Sequence, residues 1–358
     1  MRSGRTWRSL AIFAVLPAFL LCAASCGGGE SADADSGDSG AGEVVLYYSA
    51  DEYVARPIIE RFEAETGVRV RAAGDTEATK TTGLVQRLRN EADSPRADVF
   101  WSSEVFLTIK LANEGVLAPH LSETTRSWPA HLRDADHEWH AFAQRARVVV
   151  FNTERVAFYE RPSEMADLAE PRWQGRVVMA RPQFGTTRGH MGALIALWGE
   201  DATRGWMEAM AARGVRLLDG NATVVQAVAT GEADIGLTDT DDVWSGQRNG
   251  WPVDAIYIGH SLSPGDEIGT LTIPNTVARV RGGPNPDNAA RLIDYLLSPD
   301  VERMLAESDS HNVPVRPEIA EEFPKYAIPD PITSLTYEEV AASMDTAMRL
   351  AEETLEGR

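Results

Sequence analysis

Gly231-Glu232-Ala233-Asp234-Ile235-Gly236-Leu237-Thr238-Asp239-Thr240-Asp241-Asp242-Val243-Trp244 carries the strongest architectural signal in the chain. A small-residue turn leads into a short apolar run, Ile235 to Leu237. Hydroxyls and carboxylates follow at once, then a segment with helical character. A buried parallel strand delivers polar groups to its carboxyl end in this way, and open α/β sheets bind their ligands there. Asp239, Asp241 and Asp242 crowd into one turn, and like charges that close repel unless water, a cation or a helix N-terminus stabilises them. Two readings stand side by side: a ligand-binding turn, and a well-solvated N-cap, for which Asp and Thr need no ligand.

The flanking segments repeat the pattern. Arg176 to Ala180 reads as a strand, and Phe184-Gly185-Thr186-Thr187 opens a helix through His190, Leu194, Ile195 and Trp198. A Gly-Thr-Thr turn at a helix start offers free N–H groups and hydroxyls to an anion; plain capping by Thr explains it equally. His190 is a candidate base or a solvated or core-edge histidine. Val215 to Leu218 is a strand with Asn221 at its end, Thr223 to Thr230 a short helix, and Val253 to Ile258 another strand.

Towards the N-terminus, Val44 to Tyr48 is a buried strand. The turn Ser49-Ala50-Asp51 leads into a helix that ends at Gly67, and Val68 and Val70 alternate with Arg69 and Arg71. This is a βαβ unit, so a parallel sheet is expected. Thr76 to Asn90 reads as a helix, and Ala97 to Trp101 as a strand that ends in Ser102-Ser103-Glu104. Arg145 to Asn152 is a strand crossing out of the first lobe, and Gly269 to Ala278 a strand returning to it. Helices follow at Asn285 and Ser298, and a last one runs from Thr336 to Leu355. The expected layout is residues 43–150 with 277–358 as lobe one and 151–276 as lobe two, with hinge crossovers between them.

The 358 residues, 43% hydrophobic and 25% charged, suffice for two cored lobes. A formal charge of -20 repels nucleic acid and anionic lipid. Arg2, Arg5 and Arg8 precede Leu10 to Leu21, an apolar run shorter than a membrane span. Ala23-Ala24-Ser25-Cys26 resembles the cleavage box of bacterial lipoproteins, with Ala23 where that box prefers leucine. The expected product of this 1–26 signal segment is an exported cell-envelope protein, periplasmic and lipid-anchored through Cys26; ordinary secretion is the alternative. Residues 27–42, Gly, Ser, Ala and acidic residues, read as a flexible tether. Cys22 and Cys26 are the only cysteines, so the body holds neither a thiolate nucleophile nor a cysteine zinc site.

From Val44 to about Pro317 the chain resembles the family 1 bacterial extracellular solute-binding proteins, in particular the ferric-ion-binding periplasmic group. The resemblance rests on Phe62-Glu63-Ala64-Glu65-Thr66-Gly67-Val68, Ala97-Asp98-Val99-Phe100-Trp101, Arg145 to Thr153, Gly231 to Leu237 and Asn288 to Pro299, in that order and spacing. It implies an α/β, two-lobed, type II periplasmic binding protein-like fold, and a monomer that serves an ABC transporter permease rather than an enzyme. The ferric group holds iron with a His, a Glu and two adjacent tyrosines, often beside an anion. The matching positions here look like Asp51, Ser103 with Glu104 adjacent, and Asp241-Asp242. Tyr47 and Tyr48 lie near the cleft edge but off the matched positions. An all-oxygen set of Asp51, Glu104, Asp241 and Asp242, with Asp239 nearby, suits a hard cation such as Fe(III) or Ca(II). Arg145, Gly185, Thr186, Thr187 and Asn221 match the side that takes the synergistic anion.

Other ligands fit the same residues. A phosphonate-like or other small anion would use Arg145 as a bidentate clamp. A polyamine would use the carboxylates with Trp101, Trp139 or Trp244. A secreted hydrolase is the remaining alternative, but the chain has no Gly-x-Ser-x-Gly or His-Glu-x-x-His motif. No catalytic residue or cofactor beyond the ligand is expected.

Overall fold

Parallel strands and covering helices build the first half of the computed structural model. β1 (Glu43–Tyr48) buries Val44, Leu46 and Tyr47, and α1 (Glu52–Thr66) lays Val54, Ile58, Ile59 and Phe62 on the sheet. Gly67 ends α1 at φ 71°, a left-handed cap that favours glycine, with its N–H donated to the Glu63 carbonyl. β2 (Arg69–Gly74), α2 (Thr82–Asn90), β3 (Val99–Ser102), α3 (Phe106–Asn113) and the short β4 (Leu117–Ala118) complete this half; β1 pairs parallel with both β2 and β3. The structure describes residues 42–75, 81–126, 128–262 and 268–356. The signal segment with Cys26 and residues 27–41 of the tether lie outside the described residues, as do 76–80. The helix expected from Thr76 therefore begins at Thr82 among those described.

β5 (Trp139–Asn152) joins two sheets. Its first part pairs antiparallel with β10 (Thr272–Val280), its last part with β8 (Ile235–Asp239) and β9 (Val253–Ile256). Between them lie β6 (Val177–Ala180), α4 (Gly185–Ala212), β7 (Arg216–Leu218), α5 (Asn221–Ala229) and α6 (Thr240–Arg248). The strand order is β2-β1-β3-β10-β5-β8-β6-β7, with β6 parallel to β7 and β8. The pleat of β5 divides its apolar residues. Val149 and Phe151 join Trp173, Met179 and Leu237 on one face, while Val148 and Val150 join Val178, Val224 and Val243 on the other.

α7 (Pro286–Leu296), α8 (Pro299–Glu307), α9 (Pro317–Ala320) and α10 (Tyr337–Ala351) close the chain. The first core gathers Phe62, Trp101, Trp139, Phe142, Leu292 and Val301. α10 serves both halves: Val340 and Met344 pack in the first core, Ala347 and Leu350 in the second. α4 approaches it closely, since a Cβ on Gly192 would come 2.8 Å from the Val340 carbonyl oxygen. α4 is also broken at Gly199 (φ 78°, ψ 171°). Among the described residues no helix is long and apolar enough to cross a membrane.

Candidate functional site

Strand ends bring the polar turns together. Asp51 follows β1, Ser103 follows β3, Gly185 to Thr187 open α4 after β6, Asn221 opens α5, and Asp239 closes β8. With Arg145 of β5 and Asp241 and Asp242 of α6 they line one cleft. Of the ligand residues that the resemblance implies, only Glu104 is not on its wall. Arg181 and Asp219, which the sequence did not draw attention to, are.

Behind the cleft lies a buried network centred on Asp239. The antiparallel register sets Arg147 opposite Asp239, and Arg147 Nη1 donates to Asp239 Oδ1 at 2.8 Å. Asp239 Oδ2 accepts from the Thr186 hydroxyl at 2.5 Å, Asn221 Nδ2 at 2.9 Å and Arg145 Nε at 3.3 Å. Arg145 also donates to the Ser103 carbonyl of the first half. Ala143, an extra residue at φ 54° where the β5–β10 register shifts, re-phases β5 just before Arg145. Burial would raise the Asp239 carboxyl, but the Arg147 and Arg145 guanidiniums outweigh it and hold it below the ordinary range. Its lone pairs are spent on these donors. Its oxygens lie within 4.8 Å of those of Asp241 and Asp242, and through these bonds Asp239 organises the wall. Its side chain does not cap α6.

Arg147 extends the network inward. Its Nε–H donates to His190 Nδ1 at 3.3 Å, His190 Nε2 meets His260 Nε2 at 2.9 Å, and His260 Nδ1 meets the Gly269 carbonyl at 3.0 Å. Arginine only donates, so His190 carries its proton on Nε2 and His260 on Nδ1. Burial lowers both imidazoles, His260 to about 4 and His190 well below 6.5. His190 is fully buried and off the cleft wall, so of the readings offered it is the core histidine and not a solvated one.

The front of the cleft is wetter. Asp241 and Asp242 sit in the first turn of α6, where the helix dipole favours negative charge. Asp241 Oδ2 stands 3.7 Å from Arg145 Nε, and Asp242 Oδ2 accepts from the Thr238 hydroxyl at 3.3 Å. Asp51 faces them from the start of α1. On the other side the first N–H groups of α4 are left over by the helix itself. Ser103 belongs to a hydroxyl cluster with Ser49 (3.2 Å) and Thr81 (3.4 Å).

Three expectations are corrected. Glu104 is 1% exposed and turns back into its own helix, its carboxylate accepting from the N–H groups of Phe106 at 2.7 Å and Leu107 at 3.1 Å; it caps α3 and is not a cleft ligand. Trp101 and Trp139 are core residues, and Trp244 packs on Tyr326 and His311 with ring centroids 4.9 Å and 6.4 Å away, so these tryptophans form no cage for a polyamine. Tyr47 donates to Glu91 at 2.9 Å, burial pushes its phenol up to about 12, and neither it nor Tyr48 lines the cleft.

A two-lobed α/β body whose strand-end turns meet in one oxygen-rich cleft has the architecture of a ligand-closing binding protein. The chain belongs to the bacterial extracellular solute-binding proteins, whose family model matches residues 44–308. It is similar to Iron uptake protein A1 of Synechocystis, 28% identical over 80% of this chain and 79% of that protein. It is similar also to the Fe(3+)-binding periplasmic protein of Serratia marcescens, 30% identical over 59% of each. Among solved structures, iron-bound HitA from Pseudomonas aeruginosa superposes with a TM-score of 0.76 at 22% identity, covering 87% of this chain and 99% of that one.

Proposed function

We propose that this protein is the capture component of an ABC importer and takes up ferric iron, alone or with a small anion, in the cleft between its lobes. Asp51, Asp241 and Asp242 are the cation ligands, and Arg145 with the α4 turn at Gly185, Thr186 and Thr187 and with Asn221 forms the anion side. The single observation that carries this reading is the convergence of Asp51, Asp241 and Asp242 at the front of one cleft. Arg147, behind the cleft wall, is matched by Asp239. An oxygen-only set suits a hard trivalent ion. The named activities of the iron-uptake relatives support the same choice. The lobes are taken as 43–150 with 277–358, and 151–276, with α10 shared between their cores. Ala23 to Cys26 supports export and a lipid anchor on Cys26, which would hold a monomer beside its permease.

Titration of the lipid-free protein with Fe(III)-citrate, followed by Trp emission and melting temperature, tests this, because a ligand that binds only the folded state raises the midpoint. Replacing both Asp241→Ala and Asp242→Ala should weaken iron binding about 100-fold, a tenfold loss per carboxylate. Undiminished binding would remove them from the site. Carboxylate ligation also predicts an iron complex without the visible band of tyrosinate.

The buried Arg145 guanidinium beside the open α4 turn favours a second reading, a phosphonate-like or other small anion without metal. Stabilisation by phosphate or a phosphonate in the presence of a metal chelator, with none by iron, would select it.

A further inference from the structure

The β6–β7 register carries a second arginine to the cleft. Ala180 lies opposite Leu218 at the ends of these two parallel strands, so the next residues, Arg181 and Asp219, stand side by side. The Arg181 N–H donates to the Leu218 carbonyl at 2.9 Å, and Pro182 disfavours the helical region for the residue before it. The Phe184 N–H donates to the Arg181 carbonyl at 3.4 Å and closes a tight turn. That turn sets Arg181 just ahead of Gly185, Thr186 and Thr187 of α4, and all four line the cleft.

The two arginines of the cleft wall differ in what they have left to give. Arg145 is buried, with its Nε donated to Asp239 and its Nη2 to the Ser103 carbonyl. Arg181 has 44% of its side chain exposed and is held loosely: its Nε meets Asp219 Oδ1 at 3.4 Å, and its Nη1 stands 3.9 Å from Glu356 Oε1. Asp219 is 81% exposed. An ion pair between exposed side chains is worth little, because water solvates both partners nearly as well. The guanidinium can therefore leave Asp219 for an oxyanion that fits its fork, and the open N–H groups of α4 beside it favour negative charge at the same place.

We propose that Arg181 is a ligand-binding residue that determines specificity: it takes a carboxylate or phosphate group of the ligand's anion, and Asp219 competes with that anion for it. The inference rests on ligand capture in this cleft. It adds to Arg145, the α4 turn and Asn221 an exposed guanidinium that favours anions able to present two oxygens at once.

Equilibrium titration of the intact lipid-free protein with Fe(III)-citrate, and with inorganic phosphate in the presence of a metal chelator, tests it. The parent is compared with Arg181→Gln, Arg181→Lys, Asp219→Asn and the double variant Arg181→Gln, Asp219→Asn. Both side chains are exposed, so the ligand-free variants should melt with the parent. For each probe that the parent binds, Arg181→Gln should cost about tenfold, one charge-assisted hydrogen-bonded contact. Arg181→Lys keeps the charge without the fork and should still cost about threefold. Asp219→Asn should tighten binding about threefold, and should change nothing once Arg181 is Gln. The probe that binds shows whether the anion arrives with iron or alone. Three outcomes overturn the inference while leaving capture standing: a loss within about twofold in Arg181→Gln, full affinity in Arg181→Lys, or the same gain from Asp219→Asn with and without Arg181. The last two would mean that only the field of a charge is felt at the site. A parent that binds neither probe fails the capture reading, and this inference with it.

Discussion

Asp239 and Asp242 are three residues apart, yet they live under different physics. Asp239 is 2% exposed and accepts hydrogen bonds from Arg145, Arg147, Thr186 and Asn221. Asp242 is half-buried at the front of the cleft, on the first turn of a helix. The back wall satisfies its charges internally, and the front carboxylates line the open side of the cleft. Aspartates clustered in sequence thus divide into one that builds the back wall and two that line the front of the cleft, according to which side of β8's end each falls.

The largest expected effect is on the back wall. Asp239→Ala leaves the buried Arg147 guanidinium without its carboxylate and Arg145 with only Asp241 at 3.7 Å, and breaking a buried pair costs about 3–5 kcal/mol. Asp242→Ala removes a front-row charge and should stay within about 1 kcal/mol in stability. Denaturant unfolding of both variants measures the contrast, and equal losses would erase it. Next comes the acid limb of the back wall. His260 is held neutral down to about 4, whereas an unfolded imidazole takes its proton near 6.5. Between those values the unfolded chain binds more protons, so stability is present above pH 6.5 and is lost as pH falls towards 4. For His260 alone the loss is at most about 3 kcal/mol. His190 acts in the same direction, as does His140, lowered to about 4. His260→Asn should flatten the dependence of stability on pH between about 4 and 6.5; an unchanged slope would show that the relay is not the group being titrated.

The sequence revealed the strands and the places where they end, because apolar runs closed by polar turns are periodic and local. It revealed less about where a side chain points after the turn. Ser102-Ser103-Glu104 was read correctly as a strand end, but a carboxylate two and three residues before free helical N–H groups can turn back to them, and Glu104 does. Arg147 was legible and passed over: an arginine inside the run Arg145 to Phe151, whose apolar residues are all buried, demands a carboxylate partner. That partner, Asp239, lies 92 residues away and is fixed only by the β5–β8 register. His260 gave no local signal, since its role depends on His190 and on the Gly269 carbonyl. Residue type alone suggests a ligand cage for the tryptophans of β3 and β5, but aromatic residues in central strands belong first to the core.

The smallest expected effect separates Glu104 from the front carboxylates. Burial pushes its carboxyl up to about 7; the N–H groups of Leu107 and Phe106, and Arg188 and Arg145 beyond them, offset only part of that. An unfolded glutamate titrates near 4.5, so between 4.5 and about 7 the folded chain holds a proton that the unfolded chain has released. The resulting stability is full below 4.5 and is lost as pH rises through about 7. Glu104→Gln is neutral throughout and still offers a carbonyl to the two N–H groups. It should therefore lack that slope and gain about 1 kcal/mol over the parent at pH 8, the desolvation cost avoided less one weakened hydrogen bond. Its affinity for the cleft ligand should stay within about twofold, because the carboxylate reaches α3 and not the cleft. Loss of binding in Glu104→Gln, with the fold intact, would return Glu104 to the ligand set and move the boundary between the built wall and the binding front into the first lobe.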